Sequence, residues 1–292
     1  MIQVCVTATL PPATVAVRCN GLTFPVLVWG ADGGRPMLLL HGFPQEPATW
    51  GALAEALVAD GFQIFAPSQR GYVATARPQQ QSDYTFPTFV SDAVSIMDAL
   101  QVAKVDLAGF GVGALQAWMV AAYHPSRIRS LTALRYPHPA AFADALRLGA
   151  EQTEKWASLQ QQFGPADIDA RTTSLLDRDA SGLFAFLQAN DLPQPFLSSY
   201  VQRLREPGAL RGALSWVSAV SVEELAQVPP VSVPTLYIWS EGPGLAAEAV
   251  AATRSYARSG YSEIRLANSG NFMLEKTPAS LIPHMRRHLR AT

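Results

Sequence analysis

The chain has 292 residues, and its 49% apolar and 15% charged content is typical of a folded α/β protein with a buried sheet, which excludes a disordered chain. A net charge of −1 with dispersed lysines and arginines excludes the basic surface that nucleic acids or anionic membranes require. Because the sequence also lacks a secretory signal pattern and any apolar run of about 18 residues, we expect a cytoplasmic protein with no membrane contact.

Short apolar runs alternate with helical patterns along the chain. The turn Asn20-Gly21 separates Thr14–Cys19 from Leu22–Trp29, which predicts an opening antiparallel hairpin. Six more strands are predicted, at MLLL, FQIFA, KVDLA, Ile128–Leu134, Pro234–Trp239 and Glu263–Leu266. Helices are predicted near Ala48–Asp60, Pro87–Leu100, Gly113–His124 and Pro278–Leu289. This alternation predicts an α/β fold with a mostly parallel eight-stranded sheet and helices on both faces.

The residues between about Pro139 and Pro230 interrupt this alternation. Their pattern is helical and polar, as in QTEKWASLQQQF. We therefore predict three segments: residues 1–138 form the first part of the core domain, residues 139–230 form an inserted helical cap, and residues 231–292 form the second part of the core domain.

The segment KVDLA-GFGVG-ALQAW combines a strand, a tight glycine turn and a helix, which is the setting of a nucleophile elbow. Gly109 and Gly113 flank the turn, and its central residue is Gly111, which has no side chain to act as a nucleophile. A dinucleotide loop is the alternative. It is disfavoured because the third glycine of that motif is missing, and the basic stretch SRIRS stands where an acidic residue is required.

Four further motifs follow a fixed order: LLLHGFPQEPATW after the third strand, QRGYVATARP after the fourth, LTALRYPHPAAF at the start of the cap, and PTLYIWS at the seventh strand. Together with the glycine turn, this series resembles the epoxide hydrolase and haloalkane dehalogenase branch of the α/β hydrolases. The resemblance runs from about Leu22 to the C-terminus and implies the α/β-hydrolase fold.

The resemblance also implies where a catalytic triad would lie. That branch carries Gly-His-Asp-Trp-Gly at the turn, a histidine after the last strand and an acid after the seventh strand. Here the three positions hold Gly111, Asn271 and Pro243, and Glu241 is close enough to replace the acid if the loop shifts. Asparagine takes up no proton near neutral pH. None of the five histidines lies in the loop after the last strand, so we do not expect ordinary hydrolysis.

The loop His41-Gly42-Phe43-Pro44 is intact. The resemblance implies that the backbone N–H groups of Phe43 and Val112 face developing negative charge, although the fold's need for this turn explains the motif equally well. Loss of an aspartate at Gly111 and of a tryptophan at Val112 predicts a roomier, apolar cavity. The residues expected to line it are His41, Phe43, Phe110, Gly111, Val112, Tyr136, Trp156, Trp216, Val217 and Phe272. The candidate catalytic side chains are Tyr136, Asn271 and Glu241.

Three functions are compatible with these residues. The first is a non-hydrolytic enzyme of cyclase, isomerase or lyase type, which acts without covalent catalysis or a cofactor on an apolar small molecule of specialised metabolism. The second is a non-catalytic small-molecule-binding protein. The third is a hydrolase with relocated groups, for instance Ser68 or Ser240 assisted by Glu241. Cys5 and Cys19 belong to no metal-binding pattern, so no metal is expected, and a homodimer stays open.

Overall fold

A computed structural model of the chain describes residues 11–148, 153–154, 167–241, 245, 247–267 and 269–292. Eight strands form one sheet in the order β1-β2-β4-β3-β5-β6-β7-β8. The strands are β1 Ala13–Cys19, β2 Leu22–Trp29, β3 Arg35–Leu40, β4 Phe62–Pro67, β5 Val105–Phe110, β6 Ile128–Leu134, β7 Thr235–Trp239 and β8 Tyr261–Arg265. Strand β2 is antiparallel to β1 and β4, and the other neighbours are parallel. The predicted fold class is confirmed.

The first hairpin has the turn that its sequence predicts. Asn20 and Gly21 both adopt positive φ angles, of 49° and 73°, and they connect Cys19 directly to its partner Leu22. A two-residue turn with positive φ at both positions matches the right-handed twist of its strands. Asparagine and glycine accept this conformation at the smallest steric cost.

The helices cover both faces of the sheet. Those outside the cap are α1 Gly51–Val58, α2 Phe86–Ala99, α3 Val112–Tyr123, α9 Ala247–Thr253, α10 Met273–Lys276 and α11 Pro278–Arg290. Successive side chains of a strand point to opposite faces. In β3, Leu38 and Leu40 therefore pack with α2 and α3, whereas Met37 and Leu39 pack with α1 and α11. Among the described residues, no helix has the length and hydropathy needed to span a bilayer.

The described residues of the segment between β6 and β7 are mostly helical, and we call residues 139–230 the cap segment. Its helices are α4 Pro139–Leu148, α5 Ile168–Ala189, α6 Gln194–Leu204, α7 Ala209–Ser218 and α8 Val222–Ala226, with non-helical backbone in α5 at Asp177–Ala180. The two ends of the segment are held together by His138, whose Nε2 lies 3.2 Å from the carbonyl oxygen of Pro229. Its Nδ1 accepts a hydrogen bond from the N–H of Ala140, so Nε2 is the donor.

A buried carboxylate joins the amino ends of the central strands to the C-terminal helix. Asp106 of β5 is fully buried and accepts hydrogen bonds from Arg35 Nε and Nη2 at 2.6 and 2.8 Å, from Arg129 Nη1 at 3.0 Å and from Ser130 Oγ at 2.7 Å. Arg35 also donates to the carbonyl oxygen of Leu289 in α11. The paired charges lie at the end of the sheet where the parallel strands begin, opposite to their carboxyl ends.

Arg35→Met should lower the free energy of unfolding by about 3 kcal/mol, because it leaves a buried carboxylate with less compensation. The control is Arg265→Met, which removes an ion pair whose side chains are 57% and 71% exposed and should cost less than about 1 kcal/mol. Urea denaturation of both variants measures the difference. Equal losses would show that the buried pair is no more important than the exposed one.

Candidate active site

The site is built around the turn between β5 and α3. At this turn Gly111 has φ 59° and ψ −129°, a backbone conformation that residues with a side chain rarely adopt. Its N–H donates to the carbonyl oxygen of Leu134 in β6 at 3.1 Å, and its own carbonyl oxygen accepts from Ala114 at 2.8 Å. The strained conformation of a nucleophile elbow is therefore present, but the residue that occupies it offers no reactive group.

The two flanking glycines are required for a different reason, which is space. A Cβ atom on Gly109 would lie 2.2 Å from the carbonyl oxygen of Gly113, and one on Gly113 would lie 2.4 Å from the carbonyl oxygen of His41. A Cβ atom on Gly111 would meet only the Cα of Gly42, at 3.7 Å, which is ordinary contact. Strand β5, helix α3 and the loop after β3 thus pack backbone to backbone.

A cavity lies between this turn and the cap segment. Its described lining residues are Phe43, Pro44, Phe110, Gly111, Val112, Leu115, Arg135, Tyr136, Phe142, Phe186, Asn190, Val217, Val220, Asn271 and Phe272. The sequence predicts a roomier cavity, whereas the volume is about 80 Å³ and aromatic side chains form much of the described lining. The rings of Phe43 and Phe186 are tilted by 34°, with centroids 6.3 Å apart. A larger ligand requires these rings to move.

Two asparagines connect the core to the cap segment at this cavity. Asn190 Nδ2 donates to the carbonyl oxygen of Phe186 at 2.9 Å, which fixes Asn190 Oδ1 as an acceptor. Asn271 must therefore donate through its Nδ2 to Oδ1 of Asn190, at 2.9 Å, and its own Oδ1 takes no part in that hydrogen bond. Within the described part of the chain, Oδ1 of Asn271 is buried and has no hydrogen-bond partner. A buried acceptor of this kind suits a donor group on a ligand.

The carboxyl end of β6 contributes a charged residue that the sequence analysis missed. Arg135 lines the cavity and is 7% exposed, and its guanidinium carbon lies 5.5 Å from the ring centroid of Tyr136. The ring of Tyr136 in turn packs edge-on against Phe142. A signal was present in the motif LTALRYPHP, because carboxyl ends of parallel strands carry ligand-binding groups in open α/β sheets.

Two residues expected to line the cavity lie elsewhere. His41 is 1% exposed, and burial lowers its pKa to about 3. Its Nε2 accepts the N–H of Gln69 at 3.2 Å while Nδ1 lies 3.1 Å from the carbonyl oxygen of Gly42, so the ring braces the loop as a neutral imidazole. Trp216 stacks on Phe89 with ring centroids 3.7 Å apart, and it donates to a backbone carbonyl oxygen. Both contacts stabilise packing rather than a ligand.

The candidate acid also lies outside the cavity. Glu241 is 71% exposed and pairs with Arg265 at 2.5 Å on the protein surface, so it does not stand in for a buried acid. Trp156 and Pro243 lie outside the described residues. Among the described residues there is no cluster of three His, Cys, Asp or Glu side chains that could hold a metal ion.

Comparison with known proteins assigns the chain to a family. Residues 35–273 match the sequence profile of the α/β hydrolase fold. The chain belongs to this family. It is 31% identical over 228 residues to the AB hydrolase superfamily protein YfhM of Bacillus subtilis, a match that covers 76% of this chain and 79% of the relative. It is 24% identical to epoxide hydrolase 4 of mouse, over 92% of this chain and 76% of the relative.

Solved structures agree with this assignment at the level of fold. An epoxide hydrolase from Bacillus megaterium superposes with a TM-score of 0.82 at 21% identity, covering 95% of this chain and 100% of that structure. Epoxide hydrolase A from Mycobacterium thermoresistibile gives 0.81 at 20% identity, with 96% and 98% covered. The chain is therefore a member of the α/β hydrolase family, and it is similar to epoxide hydrolases, the branch that its motifs resemble.

A buried polar cluster beside the cavity joins this α/β hydrolase core to helix α6. Tyr200 of α6 donates to Glu275 Oε1 and lies 3.1 Å from the hydroxyl oxygen of Thr49. Its ring packs edge-on against Phe272, which lines the cavity. Burial is the main influence on Glu275 and raises its pKa from 4.5 to about 7. The carboxyl group is therefore protonated in mildly acidic solution, and burial opposes its ionisation at higher pH although the hydrogen bond from Tyr200 favours the ionised form.

Alanine substitutions test whether Gly111 is needed for its backbone conformation and Gly113 for the lack of room for a Cβ atom. Gly111→Ala should lower the free energy of unfolding by about 1 to 3 kcal/mol, since only the backbone conformation resists it. Gly113→Ala should not yield folded protein, because backbone atoms would have to move. Soluble yield and urea denaturation check both variants. Similar behaviour of the two would contradict the assignment of separate roles.

Glu275→Gln tests the buried carboxyl group. The native pKa lies above the unfolded value, so the native state binds the proton more tightly, and stability falls as pH rises from about 4.5 through about 7. The native chain should lose about 2 to 3 kcal/mol of unfolding free energy between pH 5 and 8 that the variant does not lose. Urea denaturation across that range measures the difference, and the variant keeps an oxygen for Tyr200. Parallel pH profiles would contradict a raised pKa.

Proposed function

We propose that this α/β hydrolase family member is a non-hydrolytic enzyme of cyclase, isomerase or lyase type that acts on a small, largely apolar molecule. The observation that supports this most directly is Gly111, which occupies the strained elbow position without a nucleophile. In the branch that the sequence resembles, an aspartate at this position forms the covalent intermediate. Neither covalent capture of a substrate nor activation of water has a group to perform it at this turn.

Asn271 supports the same proposal from the other side of the cavity. It occupies the position at which the resembling enzymes carry the general-base histidine, and an amide cannot take a proton from water. Its orphaned oxygen can instead accept a hydrogen bond from a substrate hydroxyl or amine and hold it in one orientation. Pro243 stands at the third position of the triad in the sequence.

Tyr136 and Asn271 are the side chains that we propose to act on the substrate. Both line the cavity together with the aromatic rings of Phe142 and Phe272. Such a site excludes water, holds a reactive molecule in one conformation and supplies hydrogen bonds to shifting charge, which can promote a rearrangement without a covalent step. Glu241, a candidate from sequence, is withdrawn because it lies on the surface.

The alternative of a hydrolase with relocated groups, Ser68 or Ser240 assisted by Glu241, gains no support from the contacts of Ser240 and Glu241. Ser240 Oγ accepts the N–H groups of Ser269 and Gly270 at 3.3 and 3.2 Å, and the neighbouring Glu241 is paired with Arg265. The buried imidazole of His41 has its acceptor nitrogen occupied by Gln69. The proposed enzyme therefore differs from a hydrolase in chemistry and not merely in the location of its catalytic groups.

Mass spectrometry in ¹⁸O-labelled water tests the proposal. The native protein is incubated with hydrolase probes, namely styrene oxide, p-nitrophenyl butyrate and 1-bromobutane, and with a panel of apolar metabolites that carry an epoxide, an enol or a β-hydroxy carbonyl group. We expect no label above the background with the probes, and a product of unchanged mass, or of mass reduced by a leaving group, with a member of the panel. Incorporation of label would establish hydrolysis and overturn the proposal.

Variants connect that turnover to the cavity. Tyr136→Phe and Asn271→Ala should each reduce the rate by about 10²-fold, the usual effect of removing one hydrogen bond to a transition state. Tyr123→Phe is the matched control, because Tyr123 is 50% exposed at the far end of α3 and should not change the rate. Saturable binding with every compound returned unchanged would favour a non-catalytic binding protein instead.

A further inference from the structure

Two asparagines form a directed chain of hydrogen bonds at the boundary of the cavity. Asn190 donates through Nδ2 to the carbonyl oxygen of Phe186 at 2.9 Å, and its Oδ1 accepts from Nδ2 of Asn271, also at 2.9 Å. Each bond polarises the next one, so the amide oxygen at the end of such a chain is a stronger acceptor than an isolated one. The oxygen at the end of this chain is Oδ1 of Asn271.

This terminal oxygen is a buried acceptor without a partner. Within the described part of the chain, no group donates a hydrogen bond to Oδ1 of Asn271. Reversing the amide does not relieve this, because the two Oδ1 atoms of Asn271 and Asn190 would then face each other and the donor would be orphaned instead. An unpaired buried acceptor costs free energy. Because Asn271 is one of the lining residues, a ligand in the cavity can supply the missing donor.

The other lining residues decide which kind of donor fits. The described ones are mostly apolar or aromatic, and none of them is an aspartate or a glutamate. An ammonium group would lose its hydration there without gaining a counter-charge, so the donor group is neutral. A primary amide would bring two N–H donors to one orphaned acceptor, whereas a hydroxyl group brings one. A hydroxyl group is therefore the donor that matches this site.

We propose that the cavity binds a small neutral alcohol whose hydroxyl group donates to Oδ1 of Asn271. The apolar body of the alcohol lies against Phe110, Leu115 and Phe272. Tyr136 lines the same cavity, and its hydroxyl can donate to the oxygen of the alcohol. The volume of about 80 Å³ is below the ~150 Å³ of an engineered cavity that holds benzene, which favours a short body. This inference rests on the proposed function only for the claim that the bound alcohol is also the substrate.

Calorimetric titration of the native protein tests the inference with matched ligand pairs, butan-1-ol against 1-fluorobutane and phenol against fluorobenzene. Fluorine is close to a hydroxyl group in size but cannot donate a hydrogen bond. We expect each hydroxyl compound to bind at least about tenfold more tightly than its fluorinated partner, because only the fluorinated compound leaves Oδ1 of Asn271 unpaired. Butan-1-amine, which is a cation at neutral pH, is titrated alongside and should bind more weakly than butan-1-ol.

Asn271→Leu should abolish the preference for hydroxyl over fluorine, because leucine has a similar size and no acceptor. Asn271→Asp should bind butan-1-amine more tightly than butan-1-ol, because a carboxylate at this position attracts the cation. The control is Gln188→Leu, which removes an exposed amide from α5 and should leave the preference unchanged. Circular dichroism verifies that the variants are folded. If Asn271→Leu does not fold, Asn271→Asp and the ligand pairs on the native protein still decide the question.

Several results would overturn the inference: no preference for hydroxyl over fluorine in the native protein, no binding of either alcohol, binding of butan-1-amine as tight as that of butan-1-ol, a preference that survives Asn271→Leu, or an Asn271→Asp variant that still favours butan-1-ol over the amine. These outcomes are distinct from failure of the proposed function, since binding is measured without turnover. A preference for alcohols in a protein that converts no compound would leave the binding site standing and remove the enzyme. Turnover of compounds without a hydroxyl group, in the absence of that preference, would do the reverse.

Discussion

The close backbone packing of β5, α3 and the loop after β3 is the constraint on which the rest of the structure depends. Gly109 and Gly113 leave no room for a Cβ atom at this junction. The packing fixes the direction in which the chain leaves β5 and therefore the strained conformation of Gly111 between them. In a hydrolase this strain presents a nucleophile. Here the turn has the same backbone conformation although Gly111 has no side chain. The close packing of β5, α3 and the loop after β3 therefore stabilises the fold and shapes the cavity floor without presenting a nucleophile.

The cavity above this floor is closed by polar contacts between core and cap segment rather than by apolar packing alone. Asn271 bonds to Asn190, Tyr200 bonds to Glu275, and Arg203 of α6 pairs with Glu46. Buried polar contacts of this kind specify one arrangement, because a shifted helix would leave several of them unsatisfied. Phe186, which lies in α5 shortly before Asn190, and Phe43 line the same cavity with ring centroids 6.3 Å apart, so these contacts and the aromatic rings lie at one boundary between core and cap segment.

Much of this architecture was predictable from the sequence, because the signals for it are local. The hairpin at Asn20-Gly21, the alternation of strand and helix, and the glycine turn all depend on residues close together in the chain. The positions of side chains in the site depend on distant parts of the chain. His41 contacts Gln69 and Trp216 stacks on Phe89 in the core, and both partners are distant in sequence. Glu241 pairs on the surface with Arg265, which is also distant in sequence. No spacing rule predicts such partners.

Arg135 shows the same limit. The motif LTALRYPHP marks the carboxyl end of a strand, but the backbone conformation of Arg135 depends on Tyr237 and Ile238, about a hundred residues away in the chain, so the motif does not show which side chain lines the cavity. In the branch that this chain resembles, the elbow carries an aspartate, whereas Gly111 leaves no carboxylate at that point of the cavity floor. The described lining residues with polar side chains are Arg135, Tyr136, Asn190 and Asn271. A ligand at this turn therefore meets hydrogen-bonding groups and aromatic rings rather than a nucleophile.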